Sequence, residues 1–129
     1  MYSHIVVGAN DVQASKAFYD AVFGALGVRM GVAFTEARVF WTTNDGGMFA
    51  VTKPINGKPA TFANGGTIGF AATSPEQVNA WHAAGVAAGG VSCEDPPGVR
   101  DMGAAGKLYL AYLRDPAGNK LCALHRLPA

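Results

Sequence analysis

The sequence has few charged residues and few cysteines, and both shortages narrow the classes of protein it can represent. Charged residues make up 15% of the 129 residues, and the formal net charge is +1. No run of basic residues occurs, so neither nucleic acid nor an anionic membrane is expected as a partner, because both bind clustered lysine and arginine. The two cysteines, Cys93 and Cys122, are too few for a disulfide framework.

Two further absences concern the location of the chain. No apolar stretch is long enough to span a bilayer. The segment from Met1 to His4 has neither the charged leader nor the cleavage pattern of a secretory signal. We therefore expect a soluble cytoplasmic protein.

Apolar residues and glycine are abundant. Half of the residues are apolar, which at this length predicts a single compact domain over residues 1–129 with a substantial core. Glycine accounts for 17 residues, roughly double the usual ~7%. This composition is typical of many short elements joined by tight turns.

The first half of the chain predicts one strand, one helix and three further strands. A buried strand is predicted over Ser3–Ala9. Asn10-Asp11 then supplies a helix cap, and Gln13 can complete an Asn-x-x-Gln capping box. Apolar residues follow at helical spacing until Gly27. The three strands that follow are predicted at Val28–Phe34, Ala37–Thr43 and Met48–Lys53.

The same order of elements begins again after a linker rich in proline and glycine, Pro54–Gly66. A strand is predicted over Thr67–Thr73, and Ser74 to Gln77 forms a second capping box. A helix follows, and Ser92–Gly106 is predicted to be a long loop. The remaining strands are predicted near Val91, at Leu108–Arg114 and at Asn119–Arg126.

The two halves align with each other as a repeat. An offset of 63 residues aligns Ile5 with Ile68, and an offset of 72 residues aligns Phe40 with Tyr112. The longer Ser92–Gly106 loop accounts for the difference between the offsets. The sequence therefore predicts an α+β fold made of two β-α-β-β-β modules, at about residues 1–57 and 64–127.

Two segments resemble proteins of the glyoxalase/bleomycin-resistance/dioxygenase superfamily. His4–Gly27 resembles their opening strand and helix, with an early histidine and a Phe-Tyr pair. Tyr112–Leu124 resembles their closing hairpin, with Asp-Pro-x-Gly-Asn before the last strand. The resemblance implies cupped mixed sheets, each with a helix on the outside, that bind a small molecule. It also implies a homodimer, in which one cup can be built from two subunits.

In members of that family that use a metal, each module contributes one ligand from its first strand and one from its last. The motifs and the repeat place four residues at these positions: His4, Ala50, Thr67 and Cys122. Alanine cannot bind a metal and threonine is a poor ligand, whereas a catalytic site normally needs three protein ligands. His4 and Cys122 remain as candidate ligands for a divalent metal such as Zn.

His4 is the candidate catalytic residue, as a metal ligand or general base. Its alternative role is that of a polar strand residue hydrogen-bonded to a neighbour. Cys122 is either a ligand or reactive thiol, or a small core residue. The two roles of each residue stay open at the level of sequence.

Four further residues are candidates for ligand contact. Arg100 lies in the long loop and can bind a carboxylate or phosphate, unless Glu94, Asp95 or Asp101 pairs with it. Tyr109 and Tyr112 lie on opposite faces of their strand, so one of them faces the cup. Trp41 alternates with Phe40 in the same way, and again one residue packs under a helix.

Two functions are compatible with these residues. One is a glyoxalase-like lyase, isomerase or dioxygenase with a degenerate metal site. The other is a metal-free binding protein, similar to bleomycin-resistance proteins, that holds an apolar ligand in the cups of a homodimer. A duplicated fold without any ligand is a third possibility.

Overall fold

A computed structural model describes all residues from 1 to 129. It contains nine strands, two α-helices and one short 3-10 turn. In the first module these are β1 His4–Gly8, α1 Val12–Ala25, β2 Val32–Thr35, β3 Arg38–Thr42 and β4 Met48–Thr52. In the second they are β5 Ile68–Ala71, α2 Pro75–Ala87, β6 Val91–Ser92, β7 Gly98–Asp101, the 3-10 turn Gly103–Ala105, β8 Lys107–Arg114 and β9 Lys120–Arg126.

The predicted cap of α2 is present, and the predicted cap of α1 is present in part. At α2 the Ser74 side chain accepts a hydrogen bond from Gln77 N at 3.1 Å, as predicted. At α1 the capping residue is Asp11, whose Oδ1 accepts from Ala14 N at 3.0 Å. The cap predicted at Asn10-Asp11 is therefore confirmed at Asp11, whereas the Asn10–Gln13 box is wrong, because the side chain of Asn10 instead accepts from Ala60 N at 2.7 Å.

The strands form two mixed sheets with the same internal order. The first sheet is β1-β4-β3-β2, and the second is β5-β9-β8-β6 with β7 also paired to β8. In the first sheet Ile5 lies beside Phe49, and in the second Ile68 lies beside Leu121. These pairs are related by the offsets of 63 and 72 residues, so the predicted duplication extends to the register of the strands.

The Ser92–Gly106 segment is the main departure from the predicted elements. The sequence predicts a loop here, yet the segment contains β7, which pairs antiparallel with β8 and places Arg100 beside Leu108. The composition around β7 hides it, since prolines precede it and glycines follow it. Its backbone hydrogen bonds to β8 stabilise the strand where its own apolar pattern is weak.

Both helices pack against one face of the sheets. A single cluster of 17 buried residues draws on both helices and both sheets, and Trp41, Trp81, Tyr19, Phe18 and Phe23 are its largest members. Alternate residues of β1, β3, β4, β5, β8 and β9 therefore point to this core and the others to the opposite face. Neither helix is long and apolar enough to cross a membrane.

A buried carboxylate joins the two modules. Asp115, only 3% exposed, accepts hydrogen bonds from Tyr19 Oη at 2.6 Å and from Asn119 Nδ2 at 2.9 Å. The Asn119 amide also donates to the carbonyl oxygen of Gly8 on β1 at 3.0 Å. The Asp-Pro-x-Gly-Asn turn of the second module is thereby attached to a helix and a strand of the first.

Candidate functional site

The faces of the two sheets that point away from the helices form the candidate site, and we call them the first and second outer faces. The first outer face carries an open cavity of about 320 Å³. Five of its seven lining residues are hydrophobic. The lining consists of His4, Val6, Phe34, Arg38, Phe40, Met48 and Ala50.

Strand alternation and one small residue create this cavity. Ala50 lies between Val6 on β1 and Phe40 on β3 in the register of the sheet. Because its side chain is a single methyl group, the surrounding larger side chains enclose space above it. Val6, Met48 and Phe34 stay 41%, 40% and 71% exposed, so the chain alone leaves apolar surface uncovered here. Such surface is typical of a ligand or partner site.

Two polar side chains lie at this cavity. His4 is exposed, and its Nδ1 is 2.7 Å from Ser3 Oγ, while its Nε2 has no hydrogen-bond partner within the chain. Arg38 is also exposed and belongs to neither of the two ion pairs of the chain, Lys16–Asp20 and Lys120–Glu94.

The second outer face carries Cys122 and Tyr112, which are neighbours in register. Cys122 is 7% exposed and packs with Leu108 and Leu110. Burial raises the pKa of its thiol, and the Glu94 carboxylate adds to this rise. The thiol is therefore held in its protonated, weakly nucleophilic form.

Charged groups surround Tyr112 on this face. Lys120 Nζ lies 5.2 Å from the centroid of the Tyr112 ring and forms an ion pair with Glu94. Burial raises the pKa of the Tyr112 hydroxyl. Arg100 donates from Nη2 to the backbone oxygens of Asp95 at 3.0 Å and Pro96 at 2.9 Å. The guanidinium group thus bonds to main-chain carbonyls and not to an acidic side chain.

The other two predicted ligand contacts point to the core face. Trp41 is 1% exposed, and its Nε1 donates to Asp20 Oδ1 at 2.9 Å. Phe40 is the member of that pair that lines the cavity. Tyr109 and Tyr112 do lie on opposite faces, and Tyr109 Oη donates to Asn79 on α2 at 3.0 Å.

The sequence did not indicate Val6, Phe34, Arg38 or Met48 as site residues. Their alternation with core residues was visible, but alternation alone does not say which face of a strand meets a helix. The deciding contact is that of Asp20 on α1 with Trp41, which assigns odd-numbered residues of β3 to the core.

The four positions implied for a metal do not form a ligand set. His4 and Ala50 share the first cavity, whereas Cys122 lies on the second sheet and Thr67 is exposed just before β5. No group of three histidine, cysteine, aspartate or glutamate side chains is arranged to hold a metal ion. The donors that this chain offers at these positions therefore do not fit the divalent metal of the resembled family.

Comparisons with known proteins agree with this fold. A crystal structure of a glyoxalase/bleomycin resistance protein from Albidiferax ferrireducens T118 is 62% identical, covers 98% of this chain and 99% of that chain, and has a TM-score of 0.92. Lactoylglutathione lyase from Agrobacterium tumefaciens shares the fold at 23% identity and a TM-score of 0.67. The match covers 96% of this chain and 92% of that chain. A comparison with curated proteins finds no match.

The family model agrees over almost the whole chain. The model of the Glyoxalase/Bleomycin resistance protein/Dioxygenase superfamily matches residues 2–123. This range spans most of both modules, the whole of His4–Gly27 and all of Tyr112–Leu124 except its last residue. The chain therefore belongs to the Glyoxalase/Bleomycin resistance protein/Dioxygenase superfamily.

Proposed function

We propose that this chain binds a small, largely apolar molecule in the cavity of the first outer face, as a metal-free binding protein. The observation that carries the proposal is the apolar lining around Ala50, the position at which the family resemblance implies a metal ligand. An alanine there removes a metal donor and at the same time creates space for a ligand. The similarity to a lactoylglutathione lyase, at 23% identity, supports the fold and not that reaction.

The proposed contacts differ in part from those predicted by sequence. His4 and Phe40 contact the ligand from the first outer face, and Phe40 takes the place of Trp41, which lies in the core. Tyr112, Arg100 and Cys122 lie on the second outer face. In this proposal they contact the ligand only if a second subunit brings that face over the first.

Filling the cavity tests the proposed site. We expect 1-naphthol, a neutral aromatic probe, to bind the protein and Val6→Trp to weaken binding at least about tenfold, since an indole ring at this position occupies the cavity. Val86→Trp is the matched control, because Val86 is 47% exposed on α2, away from the cavity. Titration calorimetry measures the affinity of both variants for 1-naphthol. Unchanged binding by Val6→Trp would contradict the site.

The metal-free part of the proposal has its own readout. Elemental analysis of the purified protein is expected to give much less than one divalent ion per chain. One divalent ion per chain that is lost in the His4→Ala variant would contradict a metal-free site. It would favour the enzyme hypothesis, with His4 as the catalytic residue.

We further propose that the protein is a cytoplasmic homodimer that covers its outer faces. The support is the uncovered apolar surface of β2 and its neighbours, where Val32 and Phe34 are 56% and 71% exposed. Two free cysteines are compatible with a reducing compartment.

Light scattering coupled to size exclusion tests the dimer. We expect a mass of about twice 13.3 kDa for the natural protein and a shift towards the monomer for Phe34→Asp, which adds a charge to the proposed interface. Ile55→Asp is the control, since Ile55 is fully exposed in the linker. A natural protein that elutes as a monomer at every concentration would overturn this proposal.

A further inference from the structure

We propose that the ligand of the first cavity is a small monoanion, with an apolar body and one carboxylate or similar group that Arg38 binds. This inference rests on the proposed function and adds the chemical class of the ligand. It starts from the state of the Arg38 guanidinium group, which has no ion-pair partner within the chain although it lines an apolar cavity.

The other basic side chains on the outer faces all have partners. Lys120 pairs with Glu94, and the guanidinium groups of Arg100, Arg114 and Arg126 donate to backbone carbonyl oxygens. Arg38 is the exception among them. Arginine presents a planar fork of donors that matches a carboxylate, so a free guanidinium at an apolar cavity favours an anionic ligand.

The charges around the cavity are complementary to an anion. None of its seven lining residues is acidic. The acidic residues of the first module that lie nearest in sequence are engaged elsewhere or exposed. Asp20 accepts from Lys16, Gly31 and Trp41, and Asp45 accepts from Thr43 and Gly47. Glu36 is exposed in the turn before β3 and forms no ion pair.

Position within the cavity determines the shape of the proposed ligand. Arg38 lies at one end of β3, two residues from Phe40 on the same face, and its backbone is beside Thr52. His4 lies on β1 at the far edge of the same sheet, across β4. An apolar body over Val6, Phe40 and Ala50 then places its acidic group at Arg38, while His4 Nε2 contacts the other side of the ligand.

Two probes of equal shape and different charge test the inference. We expect 2-naphthoate to bind about tenfold or more tightly than 2-naphthamide, because a charge-assisted pair exceeds a neutral hydrogen bond. Arg38→Gln is expected to abolish this preference, and Arg38→Lys to retain part of it. Arg29→Gln is the matched control, since it removes the same charge at an exposed position that does not line the cavity.

The outcomes separate this inference from the proposed function. Equal affinity for the two probes, or a preference that survives Arg38→Gln, overturns the inference and leaves a neutral-ligand site in place. Failure of the naphthoate, the naphthamide and 1-naphthol to bind overturns the proposed function itself. A preference lost in Arg38→Gln and kept in Arg29→Gln supports the inference.

Discussion

Replacing Asp115 by alanine is expected to lower the free energy of unfolding by about 3–5 kcal/mol, the range for removing one partner of a buried charged network. The carboxylate is 3% exposed and accepts four hydrogen bonds. They come from Tyr19 Oη, Ala117 N, Asn119 N and Asn119 Nδ2. Alanine removes the acceptor of all four bonds. Asn119 Nδ2 keeps its bond to Gly8, but Tyr19 Oη and Asn119 N are buried and lose their acceptor, and each unsatisfied buried donor carries a desolvation cost.

The tyrosine in this network is held as a donor. Burial, with a further contribution from the charge of Asp115, raises the pKa of Tyr19 well above its usual value. The hydroxyl therefore keeps its proton at all ordinary pH values and donates to the carboxylate at 2.6 Å. Tyr19→Phe removes one of the four bonds and is expected to cost about 1.5–3 kcal/mol, less than Asp115→Ala.

Chemical denaturation with a matched aspartate gives the comparison. Asp11 also accepts a backbone hydrogen bond, from Ala14 N, but it is an exposed helix cap. Asp11→Ala is therefore expected to cost only about 1 kcal/mol. If Asp115→Ala costs no more than Asp11→Ala, the network does not join the two modules energetically.

This network marks the limit of what the sequence predicts about the fold. The Asp-Pro-x-Gly-Asn motif indicated a hairpin before the last strand, and the structure has a turn there between β8 and β9. The partner Tyr19 lies 96 residues away in the chain. Its position on α1 was predictable from helical spacing, but its contact with Asp115 depends on how the modules pack.

The sequence predicts the strand register better than it predicts the residues of the site. Two sequence offsets were enough to relate Phe40–Ala50 in the first sheet to Tyr112–Cys122 in the second, and both pairs are present. The sequence does not predict which of Phe40 and Trp41 faces the cavity, because both are large and aromatic. The Asp20 carboxylate on α1 decides it by accepting from the indole of Trp41, and Arg38 consequently lies on the outer face.

The second large effect concerns the contact between the two helices, where a glycine allows close approach. Gly85 lies in α2, and a Cβ there would overlap Leu113 and approach Val22 to 3.0 Å and Phe18 to 3.2 Å. These neighbours belong to β8 and α1. All three are fully buried, so none can move into solvent to make room.

Gly85→Ala is therefore expected to destabilise the protein by about 1–3 kcal/mol through overpacking, despite the gain of about 1 kcal/mol in helix propensity. Gly24→Ala in α1 is the matched control, because a Cβ at Gly24 meets nothing within 4 Å. That change is expected to stabilise the protein by about 0.5–1 kcal/mol. The two glycine-to-alanine substitutions change the stability in opposite directions only if the cost of overpacking at Gly85 exceeds the gain in helix propensity. Thermal unfolding of both variants measures this, and a stabilised Gly85→Ala variant would mean that the two helices can separate at little cost.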